Sequence, residues 1–128
     1  MKSILIVDDM PTNQLVLSHI VKKFCDLDVK TASNGKRAVE LFESDPETYA
    51  MIFMDIQMPV MDGIDATRNI RQFEVDGELK VEVPIVALTA YGQQFPEDEC
   101  LEAGIDVFLE KPVSNSKVEG VLKQYDIS

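Results

Sequence analysis

The feature that most limits what this chain can become is the regular alternation of two hydrophobic periods. Ser3–Val7 (S-I-L-I-V) is continuously apolar, which predicts a strand buried on both faces. Leu17, Ile20, Val21 and Phe24 then recur at helical spacing, so Thr12–Phe24 reads as an amphipathic helix. Val29–Ala32 is a weaker strand. After a Ser33-Asn34-Gly35 turn, Ala38, Val39, Leu41 and Phe42 form a second helical stripe that closes near Asp45-Pro46. Ala50–Met54 is another fully apolar strand, and Ile64, Thr67, Ile70 and Phe73 mark a third helix. The polar stretch Glu74–Glu82, which contains Asp76-Gly77, is expected to be a loop.

Pro84–Leu88 reads as a fourth strand. A helix is expected to start near Pro96, with Glu97, Asp98 and Glu99 in the first turn and Gly104 as its stop. Asp106–Leu109 is a fifth strand. Val118, Val121, Leu122 and Tyr125 are the stripe of a last helix, with Ser116 and Glu119 spaced as a capping box. Gly120 inside that helix costs about 1 kcal/mol relative to alanine. Five strand–helix units with no linker or repeat predict a single α/β domain over residues 1–128. Its sheet should be parallel and doubly wound, and five units in so short a chain favour the strand order 2-1-3-4-5.

Composition narrows the function. Hydrophobic residues make up 45% and charged residues 27%, the balance of a folded domain. The net charge of −11 argues against nucleic acid or an anionic membrane as partner, and is compatible with metal cations and basic proteins. The longest apolar runs, Ile4–Val7 and Ala50–Met54, are too short to cross a bilayer. The N-terminus lacks the apolar stretch of a signal peptide, so a cytoplasmic location without membrane insertion is expected. Cys25 and Cys100 form no metal-binding or redox motif and are read as reduced thiols. His19, the single histidine, is read as a solvent-facing helical residue.

In a doubly wound sheet, ligands bind beyond the carboxyl ends of the strands, where the strand order reverses. Strand 1 ends in Asp8-Asp9, strand 3 in Asp55, strand 4 in Thr89-Ala90 and strand 5 in Glu110-Lys111-Pro112. If strands 1 and 3 are neighbours, three carboxylates converge and repel one another. A divalent cation and the Lys111 ammonium would together neutralise them. All-oxygen ligation with room for water fits Mg²⁺, with Mn²⁺ as a substitute. Each piece alone has a plain structural reading, such as a helix cap, a β-branched strand end or a turn. Their joint occurrence on one edge does not.

The segments Val7-Asp8-Asp9, Met54-Asp55-Ile56-Gln57-Met58-Pro59-Val60-Met61-Asp62-Gly63, Ala87-Leu88-Thr89-Ala90 and Leu109-Glu110-Lys111-Pro112 resemble the receiver domain of two-component response regulators. The match runs from Lys2 to Tyr125. It implies a flavodoxin-like (βα)5 fold and a phosphoacceptor switch that signals without being a turnover enzyme. By that resemblance Asp55 takes a phosphoryl group from the phosphohistidine of a histidine kinase or histidine phosphotransfer protein. Asp9 and Asp55 would hold Mg²⁺ directly, Asp8 through water, and Gln57 through its backbone carbonyl. Lys111 would pair with a phosphoryl oxygen, and Lys111–Pro112 would be a cis peptide.

The resemblance also implies that the Thr89 hydroxyl moves to the phosphoryl group, into the space that the small Ala90 leaves, and that the ring at position 108 turns inward. The helix 4–strand 5–helix 5 face would then change for a downstream protein partner. Here position 108 is Phe108, where many relatives carry tyrosine, so a switch through a tyrosine hydroxyl is in doubt. Gln57 and Tyr91 occupy positions that tune phosphoryl lifetime in the family. Met58 and Met61 are read as loop packing. A Mg²⁺-dependent phosphohydrolase of the haloacid-dehalogenase type would need an acid where Gln57 stands. A nucleotide or flavin binder would need a glycine-rich phosphate loop that is missing. A degenerate receiver would lack some of the polar positions, which are all filled. Three residues follow Tyr125, so the expectation is a free-standing receiver that acts by docking, or a segment of a larger regulator or hybrid kinase.

Overall fold

The computed structural model describes residues 2–79, 82–90 and 97–127. Five strands form one parallel sheet: β1 (Ser3–Val7), β2 (Asp28–Ala32), β3 (Tyr49–Asp55), β4 (Ile85–Thr89) and β5 (Val107–Glu110). Between and after them come α1 (Pro11–Phe24), α2 (Gly35–Ser44), α3 (Gly63–Asp76), α4 (Glu97–Ala103) and α5 (Asn115–Gln124). The strand order is β2-β1-β3-β4-β5, the doubly wound order read from the alternation.

Side-chain alternation along each strand builds two cores. Leu5, Val7, Ile52, Met54 and Ala87 face one way, onto Ala38 and Phe42 of α2, Ile64 and Ile70 of α3, and Cys100 and Ala103 of α4. Ile4, Ile6, Met51, Phe53, Val86 and Leu88 face the other way, onto Leu17, Ile20 and Val21 of α1 and Val118, Val121 and Leu122 of α5. The continuous apolar runs thus follow from burial on both faces. His19 is exposed, and Cys25 and Cys100 are free thiols. Among the described residues, no helix is long and apolar enough to cross a membrane.

Three expectations need correction. The stretch from Glu74 is not all loop, because α3 runs on to Asp76. Glu74 is buried, accepts the Val83 backbone N–H at 2.7 Å and pairs with Arg71 at 2.8 Å, so a residue that looks solvated is an internal tie. The α5 cap is Ser114, whose hydroxyl accepts from the Lys117 N–H, and Ser116 lies inside the helix. The third residue after this cap is Lys117, so the Ser116–Glu119 capping box does not form. Finally, β3 extends through Asp55, which makes that acid part of the sheet. Pro96 lies outside the described residues. Gly104 ends α4 as expected, at φ +110°.

Candidate functional site

Parallel pairing of β1 with β3 runs through Val7 opposite Met54, so Asp8-Asp9 and Asp55 leave the same edge side by side. One carboxylate oxygen from each of Asp8, Asp9 and Asp55 lies within 4.8 Å of the others. Asp8 is buried. Its Oδ1 accepts the Met10 N–H at 2.9 Å and lies 3.5 Å from the Asn13 amide, and its Oδ2 accepts from Lys111 Nζ at 3.1 Å. Asp55 is buried too. Its Oδ2 accepts from the same Nζ at 3.1 Å, and its Oδ1 accepts the Gln57 N–H at 3.2 Å. Asp9 is exposed, and its carboxylate has no hydrogen bond or ion pair among the described residues.

Lys111 is placed by the sheet as well. Its N–H donates to the Thr89 carbonyl at 2.6 Å, and the Lys111–Pro112 peptide is cis. Thr89 closes β4, buried, with its hydroxyl donating to the Leu109 carbonyl at 3.4 Å, and Ala90 follows it. Phe108 is half-buried in β5 and packs against the core on the α2–α4 side. The Gln57 side chain is exposed, whereas Met58 and Met61 are half-buried against that same core. Tyr91 lies outside the described residues.

The loop from Ile56 to Asp62 is held by two glycines that the spacing argument did not single out. Gly63 donates to the Ile56 carbonyl at 2.9 Å, and a Cβ there would collide with the Asp55 carbonyl oxygen. Gly35 donates to the Met61 carbonyl at 2.9 Å, and a Cβ there would meet that oxygen at 2.5 Å. Any larger residue at either position would push away the segment that follows Asp55. Asp62 caps α3 through the Asp65 N–H. Between them Val60 is 78% exposed at φ +70°, a backbone region that β-branched residues rarely adopt.

Burial pushes the Asp55 carboxyl above its usual range. Lys111 and the Gln57 N–H pull it down, and Asp8 adds to the upward push. Burial lowers the Lys111 ammonium, but Asp55 and Asp8 outweigh it and hold Lys111 above its ordinary value. Two carboxylates therefore share one ammonium, and the third, Asp9, has no donor among the described residues. The all-oxygen donor set, with an open carboxylate at its edge, fits a hard divalent cation.

The chain matches the family model for the response regulator receiver domain over residues 4–123. The chain belongs to that receiver-domain family. It is 37% identical over 125 residues to the osmosensing histidine protein kinase SLN1 of Saccharomyces cerevisiae, covering 95% of this chain and 10% of that kinase. The receiver domain thus spans about a tenth of that relative's length. Among solved structures, the receiver domain of the Saccharomyces cerevisiae response regulator Ssk1 superposes with a TM-score of 0.86 at 32% identity. The match covers 97% of this chain and 88% of that one, and that receiver was crystallised with the histidine phosphotransfer protein Ypd1. The receiver domain of the sensor histidine kinase PA1611 of Pseudomonas aeruginosa superposes at 0.83 with 35% identity, covering 99% and 98%, and carries a magnesium ion in its active-site cleft.

Proposed function

We propose that this receiver domain accepts a phosphoryl group from the phosphohistidine of a histidine kinase or histidine phosphotransfer protein onto Asp55. A carboxylate oxygen of Asp55 attacks phosphorus in line, the P–N bond to imidazole breaks, and an acyl phosphate forms. The convergence of Asp8, Asp9 and Asp55 about Lys111 carries this reading, because such a charge deficit serves no structural end. Bound Mg²⁺, or Mn²⁺ in its place, would neutralise charge on the transferred oxygens. Asp9 and Asp55 would hold it directly, Asp8 through water, and Gln57 by its carbonyl. Lys111 would move from Asp55 to a phosphoryl oxygen. Exposed Met10, Leu15, Val16 and Val60 border this edge on α1 and the adjoining loops, and offer an apolar rim to the phosphodonor.

The phosphoryl group would draw the Thr89 hydroxyl off the Leu109 carbonyl, so that β4 and β5 register the modification. Phe108, without a hydroxyl, would follow by packing alone. The α4–β5–α5 face would thereby change for a downstream protein, with residues 1–128 acting as one unit. Gln57 and Tyr91 would set how long the acyl phosphate survives water. The role is a signal held for a time, with no turnover of a free substrate.

Incubation with a small acyl phosphate donor and Mg²⁺, followed by intact-mass measurement, tests the proposal. The wild type should gain one phosphoryl group, and neither the EDTA-treated protein nor Asp55→Asn should gain any. Equal labelling of Asp55→Asn, or a wild type inert to small donors and phosphotransfer proteins alike, would overturn it.

A further inference from the structure

The three acids are not held alike. Asp8 is anchored through its own side chain by Lys111 and the Met10 N–H, and Asp55 by Lys111 and the Gln57 N–H. Asp9 has no such anchor, so its carboxylate stands wherever its backbone places it. That backbone is tied by one side chain. Gln14 Nε2 donates to the Asp8 carbonyl at 2.7 Å and to the Ala32 carbonyl at 3.1 Å. The Ala32 carbonyl also accepts the Asp8 N–H at 3.1 Å, one step beyond the last β1–β2 pair, Val7 with Ala32. The Asp8 carbonyl lies in the same planar peptide unit as the Asp9 nitrogen. Fixing it therefore fixes the plane from which Asp9 hangs.

We infer that Gln14 is a positioning residue for Asp9, and through it sets the affinity of the acidic cluster for a divalent cation. The inference rests on the function proposed above. Gln14 touches neither the carboxylate group of Asp9 nor any reacting atom. Its amide donates to the Asp8 carbonyl and to the Ala32 carbonyl, which also takes the Asp8 N–H, from a half-buried position in the first turns of α1. A glutamine there would ordinarily be read as the polar face of an amphipathic helix, and nothing in its spacing from Asp8-Asp9 marks it out.

The test is an NMR titration of the full chain with MgCl2, with thermal melting in EDTA measured in parallel. Gln14→Met keeps length and helix propensity but removes both donors. It should bind Mg²⁺ about ten-fold more weakly than the wild type, as losses of outer-shell partners commonly do. In the wild type, the Gln14 side-chain amide resonances should shift as Mg²⁺ saturates. A Gln14→Met affinity within about two-fold of wild type overturns the inference, whatever happens to its melting temperature. So does a wild-type Gln14 amide that Mg²⁺ leaves unmoved. A wild type whose spectrum ignores Mg²⁺ altogether overturns the parent reading instead, and the two failures are thus distinct.

Discussion

Two clusters of partly buried charge stand at opposite ends of the same sheet, and they are built to different rules. At the amino ends of β4 and β5, Arg71 bonds Glu74 at 2.8 Å, Asp106 at 2.9 Å and the Gly104 carbonyl through two nitrogens. The backbone N–H groups of Val83 and Ile85 complete the two carboxylates. Each acid has a donor of its own, and the guanidinium fork ties α3 to both the entry of β4 and the α4–β5 corner. At the carboxyl ends, two of three acids share one ammonium, and the third, Asp9, has no donor among the described residues. Buried charge alone therefore does not mark a functional site. Acceptor capacity left open is what sets the candidate site apart.

Removing the cation from each cluster should break the molecule in different ways. Lys111→Met should cut phosphoryl uptake by on the order of a hundred-fold or more, since under the proposed function it removes the charge that would pair with the transferred group. Its fold should survive, as judged by circular dichroism. Arg71→Met should do the reverse. It leaves Glu74 buried without its ion partner, at a cost on the order of 3–5 kcal/mol in urea denaturation, while uptake per folded molecule is unchanged. If Arg71→Met spared stability and Lys111→Met spared uptake, the contrast between the clusters would collapse.

A pH series sharpens the same contrast at smaller amplitude. The Asp55 carboxyl binds its proton more tightly in the folded chain than in the unfolded one. Its contribution to stability is thus present in acid and is lost as pH rises through the folded value. In metal-free buffer at neutral pH, Asp55→Asn should melt above the wild type. The gap should close as pH falls toward the ordinary carboxyl value of 3.8. Thermal melts of the two proteins across that range read it directly. The smallest effect is a reference point far from both clusters. Gly120 is exposed on α5 with nothing within 4 Å of a built Cβ, so Gly120→Ala should stabilise by up to about 1 kcal/mol and leave uptake untouched.

What could be read in advance follows the same division. Apolar runs and helical stripes are set by which faces are buried, so the element order, the sheet order and the edge bearing Asp8, Asp9, Asp55, Thr89 and Lys111 were all legible. Glu74 was not, because a charged residue shows its polarity in the sequence and hides its partners. Ser114 was missed for a related reason. Two hydroxyls lie two residues apart, and only the backbone decides which one caps the helix. Gln14 acts through carbonyl oxygens, which every residue carries and no sequence displays; Gly35 and Gly63 stood in the expected turn and motif, but not the carbonyls they lie against.

The acids grow out of β1 and β3, two of the three strands with neighbours on both sides, whereas Lys111 comes from just past β5, a four-residue strand at the rim with half-exposed positions. Amides of β1 and β3 should accordingly be the last to exchange with solvent, and those of β5 should exchange far sooner. A partial opening that peels β5 away would carry off the lysine and leave the carboxylates standing. Such a species would still grip a cation yet have lost the ammonium that would pair with a phosphoryl oxygen. The molecule would then come apart functionally before it came apart structurally.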